Sequence, residues 1–101
     1  MVAEILKSNT SVTEVFLFRN KEIGDEGAKA FAEALKVNAT VERLDLDECG
    51  IGDDGAAAFA EALRSNTSLT MLNLGGNGIG EQGKQLLRDA VAGREGFELY
   101  V

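Results

Sequence analysis

The stretch VERLDLDECGIGDDGAAAFAEALRSNTS, residues 41–68, contains two hydrophobic periods in succession. In its first part, Leu44 and Leu46 alternate with polar residues, which is the pattern of a strand with one buried face. In its second part, Phe59 and Leu63 lie four positions apart, within an apolar stripe along one side of a helix. The stretch therefore predicts one strand followed by one helix.

The same pattern recurs before and after this stretch. Residues 12–40 and 69–96 align with it as full repeats, and the first of these is one residue longer because of an insertion at Lys21-Glu22. A partial repeat occupies residues 1–11, and residues 97–101 match a terminal strand. Repetition over the whole chain predicts a single domain of about three full repeats with partial units at both ends.

No single repeat can bury its apolar side alone, so neighbouring repeats must stack into a solenoid. We expect an α/β fold with four parallel strands near residues 12–18, 41–47, 69–75 and 97–101, each preceded by a helix. The connections should be right-handed, with the sheet on the concave face and the helices on the convex face. Four residues of the central repeat, Leu44, Leu46, Phe59 and Leu63, should be among the most buried, because that repeat is covered on both sides.

Polar residues recur at both ends of the predicted helices. Acidic residues near the helix starts suit the positive end of the helix dipole; they are Asp25, Asp53 and Glu81. Asparagines stand at the helix ends; they are Asn9, Asn38 and Asn66. Asparagine tolerates the left-handed conformation that stops a helix, so we expect that conformation there.

A consensus follows from these repeats: LxxLxL, then Asn or Cys, then xIGDxGAxAFAEALxxN. It resembles the long leucine-rich repeat of ribonuclease inhibitors and NOD-like receptors. It is also similar to the repeats of Ran GTPase-activating protein and of the tropomodulin C-terminal domain. The ninth repeat position reads Asn20, Cys49 and Asn77. The resemblance implies that these side chains face inward and that the fold is a scaffold for protein binding.

Composition excludes several classes of function. Ten basic against seventeen acidic residues give a net charge of −7, which disfavours nucleic acid and anionic membranes as partners. The chain has neither an apolar run long enough to span a membrane nor a visible secretory signal. It contains no histidine, which removes the commonest general base, and a single cysteine, which suits the reducing cytoplasm. We predict a cytoplasmic protein that is not an enzyme.

The segment Gly78-Ile79-Gly80-Glu81-Gln82-Gly83 matches GxGxxG, and with Lys84 it also resembles a phosphate-binding loop. Gly80 and Gly83, however, are repeat glycines with equivalents in the two preceding repeats. Position 85 is glutamine, so the hydroxyl that would hold magnesium is missing. The segment is interpreted as a repeat loop, and we predict no cofactor.

Acidic residues from Asp45 to Asp54 suggest a calcium loop at first sight. A twelve-residue loop starting at Asp45 would need an oxygen ligand at position 49 and a glutamate at position 56. The sequence supplies Cys49 and Ala56 there. We therefore interpret the run as a solvated strand face and predict no metal site.

The alternation assigns rows of side chains to the open face of the sheet. The rows are Glu14, Arg43, Met71 and Leu99; Phe16, Asp45, Asn73 and Val101; and Phe18, Asp47 and Gly75. Exposed aromatics flanked by charge are typical of protein-binding patches. The candidate partner-binding residues are Glu14, Phe16, Phe18, Arg43, Asp45, Asp47, Met71 and Asn73.

The main hypothesis is a protein–protein interaction module that recognises its partner through the concave strand face. One alternative is a regulatory fragment that acts on a GTPase or an actin filament, as the resemblance would allow. Another is a self-associating repeat scaffold. The sequence begins within a predicted helix, so we expect Val2, Ile5 and Leu6 to be partly uncovered. At the other end, Lys84 and Arg88 place charged side chains on the last helix, which disfavours association there. A homodimer would therefore form through the N-terminal edge strand.

Overall fold

The computed structural model describes residues 2–101, in which helices and strands alternate along the chain. The helices are α1 (Val2–Leu6), α2 (Gly24–Val37), α3 (Asp53–Ser65) and α4 (Glu81–Val91). The strands are β1 (Glu14–Phe16), β2 (Arg43–Asp45), β3 (Met71–Asn73) and β4 (Glu98–Tyr100). Within this part of the chain, no helix is long and apolar enough to cross a membrane.

The strands form one parallel sheet in the order β1-β2-β3-β4, which confirms the predicted fold. Each strand has three residues, fewer than predicted, but backbone hydrogen bonds extend the pairing beyond it. The Leu17 N–H donates to the Asp45 carbonyl at 2.9 Å, and the Arg19 N–H donates to the Asp47 carbonyl at 2.7 Å. The side chains therefore keep their strand-like alternation for two residues past β1, with Leu17 partly buried and Phe18 exposed.

The predicted register of the last strand is wrong by one residue. Met71 pairs with Glu98, and Asn73 pairs with Tyr100, so Glu98 and Tyr100 occupy the row positions that were expected for Leu99 and Val101. The cause is a connection that is shorter by one residue: α4 has 11 residues where α3 has 13, and the loop from α4 to β4 has six residues where the loop from α3 to β3 has five. Leu99 instead pairs with Leu72 and packs against the core.

The core lies between the sheet and the helices. Leu44, Leu46 and Phe59 are 0% exposed and Leu63 is 2% exposed, so these four are among the most buried residues, as predicted. They belong to the repeat that has a neighbour on both sides, so its apolar surface is removed from water by both flanking repeats.

The asparagines at the helix ends have a different role from the one predicted. Asn38 and Asn66 have extended backbones, with φ of −88° and −83°, rather than the left-handed conformation. The Asn66 side chain donates to the carbonyls of Leu35 at 2.8 Å and Asn38 at 3.0 Å, and it accepts from the Leu69 N–H at 2.9 Å. Equivalent bonds hold Asn38. We call Asn38 and Asn66 the asparagine ladder, because each ties its own repeat to the one before it.

Acidic side chains link the repeats at the opposite end of the helices. Asp25 and Asp53 lie in the first helical turns as predicted. Asp25 Oδ1 also accepts from the Gly52 N–H of the next repeat at 2.6 Å, and Asp53 Oδ1 accepts from the Gly80 N–H at 2.7 Å. One N–H of the glycine-rich segment is thus already bonded to a carboxylate, which a phosphate would have to displace.

Gly83 in the same segment is required by packing. A Cβ at that position would lie 2.8 Å from Ile79 Cγ2 and 2.7 Å from Asp53 Oδ1, which is too close for a real contact. The stacking of α4 on the preceding repeat therefore explains this glycine without a nucleotide.

Candidate protein-binding face

One face of the sheet packs against the helices, and the other carries side chains that no helix covers. We call this second surface the strand face. Its residues are Glu14, Phe16, Phe18, Arg43, Asp45, Asp47, Met71, Asn73, Gly75, Glu98 and Tyr100. They lie on it because alternate side chains of a strand point to opposite faces.

The first row of the strand face is crossed by one long side chain. Arg43 Nε lies 3.6 Å from a carboxylate oxygen of Glu14, and Arg43 Nη1 lies 3.8 Å from one of Glu98. Met71 stands between Arg43 and Glu98 in the row and is 5% exposed. The arginine therefore passes over Met71, and this predicted site residue offers little accessible surface.

The second row has an aromatic ring at each end and polar side chains between them. Phe16 is 48% exposed and Tyr100 is 50% exposed. Asp45 Oδ1 accepts from the Asp47 N–H at 3.0 Å, and Asn73 Oδ1 makes the same bond to the next residue but one. These bonds turn the chain at the end of β2 and β3, so Asp45 and Asn73 shape the face as well as lining it.

The third row continues this arrangement with Phe18, Asp47 and Gly75. Phe18 is 52% exposed. The Asp47 carboxylate accepts no hydrogen bond from residues 2–101, and a Cβ on Gly75 would lie 3.2 Å from its Oδ1. Because Gly75 has no side chain, the space on that side of the carboxylate stays open.

The structure thus brings together seven of the eight predicted site residues on an accessible face and leaves Met71 covered. Sequence reasoning missed Glu98 and Tyr100, because it assumed a constant repeat length. The polar–apolar alternation of FELYV could have located them, since Glu98 and Tyr100 are exposed while Phe97 and Leu99 are partly buried.

The remaining chemically interesting side chain lies in the core. Cys49 is 0% exposed, and its Sγ donates to the Leu17 carbonyl at 3.1 Å, which confirms the predicted inward position. Burial raises the pKa of the Cys49 thiol, so the reactive thiolate is disfavoured. Cys49 is a packing residue.

A second accessible feature lies at the N-terminal edge of the stack. An apolar cleft of about 550 Å³ opens there, with Val2, Leu17, Ile23 and Phe31 among its lining residues. Val2 and Ile5 are exposed as predicted, but Leu6, also expected to be partly uncovered, is 2% exposed. The short α1 buries it against α2.

Comparisons with known proteins agree with this architecture. The family model described as leucine-rich repeat matches residues 8–32, 37–60 and 65–85. The solved structure titled leiomodin-1 actin-binding site 2 is similar, with 30% identity over 96% of this chain and a TM-score of 0.87. The tropomodulin C-terminal domain of Caenorhabditis elegans has a TM-score of 0.84 over 99% of this chain at 19% identity, which shows the fold alone. The chain spans 57% and 63% of those two structures. No curated protein matches the sequence.

Proposed function

Because the chain belongs to the leucine-rich repeat family, we propose that it binds another protein through the strand face. The observation that carries the proposal is that Phe16, Phe18 and Tyr100 all lie on one uncovered face, the first two together at one edge and Tyr100 at the other, each close to half exposed. Aromatic side chains with polar neighbours are enriched at the centres of protein interfaces, since they bury a large area when a partner arrives. The supported role is recognition.

A catalytic role finds no support among the residues of the strand face. Its functional groups are carboxylates, one amide, one guanidinium and a phenol, and the chain has no histidine to act as a base near neutral pH. The buried Cys49 is not a nucleophile on any accessible surface. We therefore propose a binding module and not an enzyme.

Actin is the partner that we propose to test first. The supporting observation is the similarity to a leiomodin-1 structure whose title names an actin-binding site. The match covers nearly all of this chain but little more than half of that structure. A cytoplasmic location follows from this proposal, since actin is a cytoplasmic protein.

The first experiment is co-sedimentation of the purified chain with filamentous actin, together with a pull-down from cytoplasmic extract. The test variant is Phe16→Ala/Phe18→Ala, which removes two rings from the strand face. The matched control is Val37→Ala/Leu86→Ala, which removes exposed apolar side chains from helices α2 and α4. Thermal unfolding of each variant verifies that it is folded.

We expect wild type and control to retain the same partners and the aromatic variant to lose them. If both variants retain every partner equally, the strand face is not the binding surface. If wild type does not sediment with filaments while the pull-down still depends on Phe16 and Phe18, actin is excluded and protein binding stands.

A further inference from the structure

We propose that the strand face selects a partner segment in which an arginine or lysine lies next to an apolar side chain. The proposal deepens the proposed function and rests on it, because it names the chemistry of the segment that the same face would bind. It follows from the charge of the face and from the placement of its carboxylates beside its aromatic rings.

The strand face carries more negative than positive charge. It carries four carboxylates, three on the strands (Glu14, Asp45 and Glu98) and one just past β2 (Asp47), against the single guanidinium of Arg43. That guanidinium already lies within 4 Å of both glutamates. The two aspartates have no cation beside them on the face, so a partner that brings positive charge is complementary and an acidic one is repelled.

The strand face contains a repeated pair of neighbouring side chains. Phe16 lies directly opposite Asp45 in the register of β1 and β2, and the backbone bond from Arg19 to Asp47 continues that register to Phe18 and Asp47. Neighbouring strands are about 4.8 Å apart, so each ring stands beside a carboxylate, and the two pairs are about 7 Å apart along the strands. The face therefore presents the same ring-and-carboxylate pair twice.

A ring beside a carboxylate suits a cation with an apolar neighbour. A guanidinium or ammonium group that contacts the carboxylate also lies within reach of the ring face, and both attract it. An apolar side chain adjacent to that cation covers the rest of the ring. Tyr100 offers a further ring at the far end of the second row. A purely apolar segment would leave the aspartates desolvated without a partner, which costs free energy.

The two aspartate carboxylates retain open positions for hydrogen-bond donors. Asp47 accepts no hydrogen bond from the described residues, and the missing side chain of Gly75 leaves space beside it. Asp45 accepts one backbone N–H at 3.0 Å and a long bond from Asn73 Nδ2 at 3.4 Å. Since a carboxylate has about four acceptor positions, both groups retain capacity for a cationic donor.

The test measures fluorescence anisotropy of three labelled ten-residue peptides titrated with the full chain. One alternates arginine and leucine, one replaces each arginine by glutamate, and one replaces each leucine by serine. The protein variants are Asp45→Asn and Asp47→Asn, alone and combined. An amide suits position 45, because Asn73 makes the same backbone bond one repeat later. The matched control is Asp54→Asn, which removes one exposed carboxylate from the first turn of α3.

We expect the arginine–leucine peptide to bind most tightly and the glutamate peptide not to bind. Each aspartate variant should weaken binding about three-fold and the double variant about ten-fold, and added salt should weaken it further. The Asp54→Asn protein should bind like wild type.

Three results would overturn the proposal. One is equal binding of the arginine and glutamate peptides, another is an equal loss in Asp54→Asn and Asp47→Asn, and the last is no binding of any peptide. None of them alters the pull-down comparison of Phe16→Ala/Phe18→Ala with its control, so failure of this inference is distinguishable from failure of the proposed function.

Discussion

At the C-terminal end of the stack, Arg94 occupies the repeat position that an asparagine occupies in the preceding repeats. It stands 28 residues after Asn66. Its Nη1 donates to the Leu63 carbonyl at 3.0 Å and its Nη2 to the Leu69 carbonyl at 2.8 Å. The guanidinium also lies 4.9 Å from the centre of the Phe97 ring. Arg94 therefore supplies hydrogen-bond donors to the Leu63 and Leu69 carbonyls, as an asparagine does for carbonyls of the preceding repeats.

The N-terminal end is finished differently. Asn9 stands at the first ladder position and accepts from the N–H groups of Ser11 and Val12 at 2.9 and 2.7 Å. Its Nδ2 donates to no residue in the described part of the chain. The apolar cleft beside Val2 lies at the same end.

The difference shows that the asparagine ladder has a direction. Each ladder side chain donates to carbonyls of the repeat before it, so the C-terminal end needs extra donors and the N-terminal end has a spare one. One long cationic side chain supplies the donors. Among the described residues, Arg94 thus caps the last repeat, whereas β1 pairs with a strand on one side only and lies beside exposed apolar side chains.

The largest expected effect is on the free energy of unfolding, and it should be greater for core leucines of the interior repeats than for the equivalent leucine at the N-terminal end. Leu46→Ala should lower the free energy of unfolding by roughly 2–5 kcal/mol, because it leaves a cavity in the core. Leu74→Ala, at an equivalent position that is 1% exposed, should cost about as much. Leu17→Ala, partly exposed at the N-terminal end, should cost clearly less. Urea unfolding measures all three. A cost below about 1 kcal/mol for Leu46→Ala, or equal costs for Leu17 and Leu46, would contradict this account of the core.

A smaller effect on the free energy of unfolding should distinguish Asn66, which bonds to the preceding repeat, from Asn9, which does not. Asn66→Ala leaves the carbonyls of Leu35 and Asn38 and the Leu69 N–H without partners in a buried place, which should cost roughly 2–3 kcal/mol. Asn9→Ala should cost about 1 kcal/mol or less, because only local turn bonds are lost near the surface. Equal losses in urea unfolding would show that the ladder has no direction.

Removal of the C-terminal cap should have an effect smaller still. Arg94→Ala should lower the free energy of unfolding by about 1–2 kcal/mol, since two charge-assisted bonds are lost from a partly exposed site. Arg88→Ala is the control: Arg88 is an exposed arginine of α4, and its removal should change stability by less than about 0.5 kcal/mol. Hydrogen exchange at the Leu69 amide should also accelerate in Arg94→Ala. If the two variants are equally stable, Arg94 is not a cap.

Most of the fold could be predicted because it depends on periodicities that are visible in a few residues. The alternation of Leu44 and Leu46 and the spacing of Phe59 and Leu63 define one repeat, and repetition extends it to the sheet. The register of β4 could not be obtained that way. It depends on where α4 stops, and helix ends are set by local turn geometry that a repeat length does not contain.

The candidate site was less predictable, because its details depend on side chains that reach beyond their own strand. Alternation alone places Phe16 and Asp45 in one row. It does not show that Arg43 reaches across to Glu98 and covers Met71, since a long side chain has many accessible directions. Nor does the identity of Asn66 reveal that its bonds run to the preceding repeat, because asparagine at a helix end also suits a left-handed turn.

The smallest effect is self-association, which we propose occurs through β1, the edge strand of the described sheet. The carbonyl of Thr13 and the N–H of Leu17 bond to the β2 side. The backbone groups of Glu14 and Phe16 therefore face away from the sheet, since these groups alternate in direction along a strand. A two-fold arrangement of two such edges would place Phe16 against Phe16 of the second copy and bury both rings.

Repulsion opposes this arrangement, because each chain carries a net charge of −7. We therefore expect weak association that strengthens as salt screens the charges, which is opposite to the salt effect expected for a cationic partner. Light scattering over a tenfold range of concentration should show a mass rising above 10.7 kDa. Phe16→Ala/Phe18→Ala should abolish the rise, and Tyr100→Ala, at the far edge of the sheet, should not. A constant mass at both low and high salt would mean that the N-terminal edge is stable without a second copy.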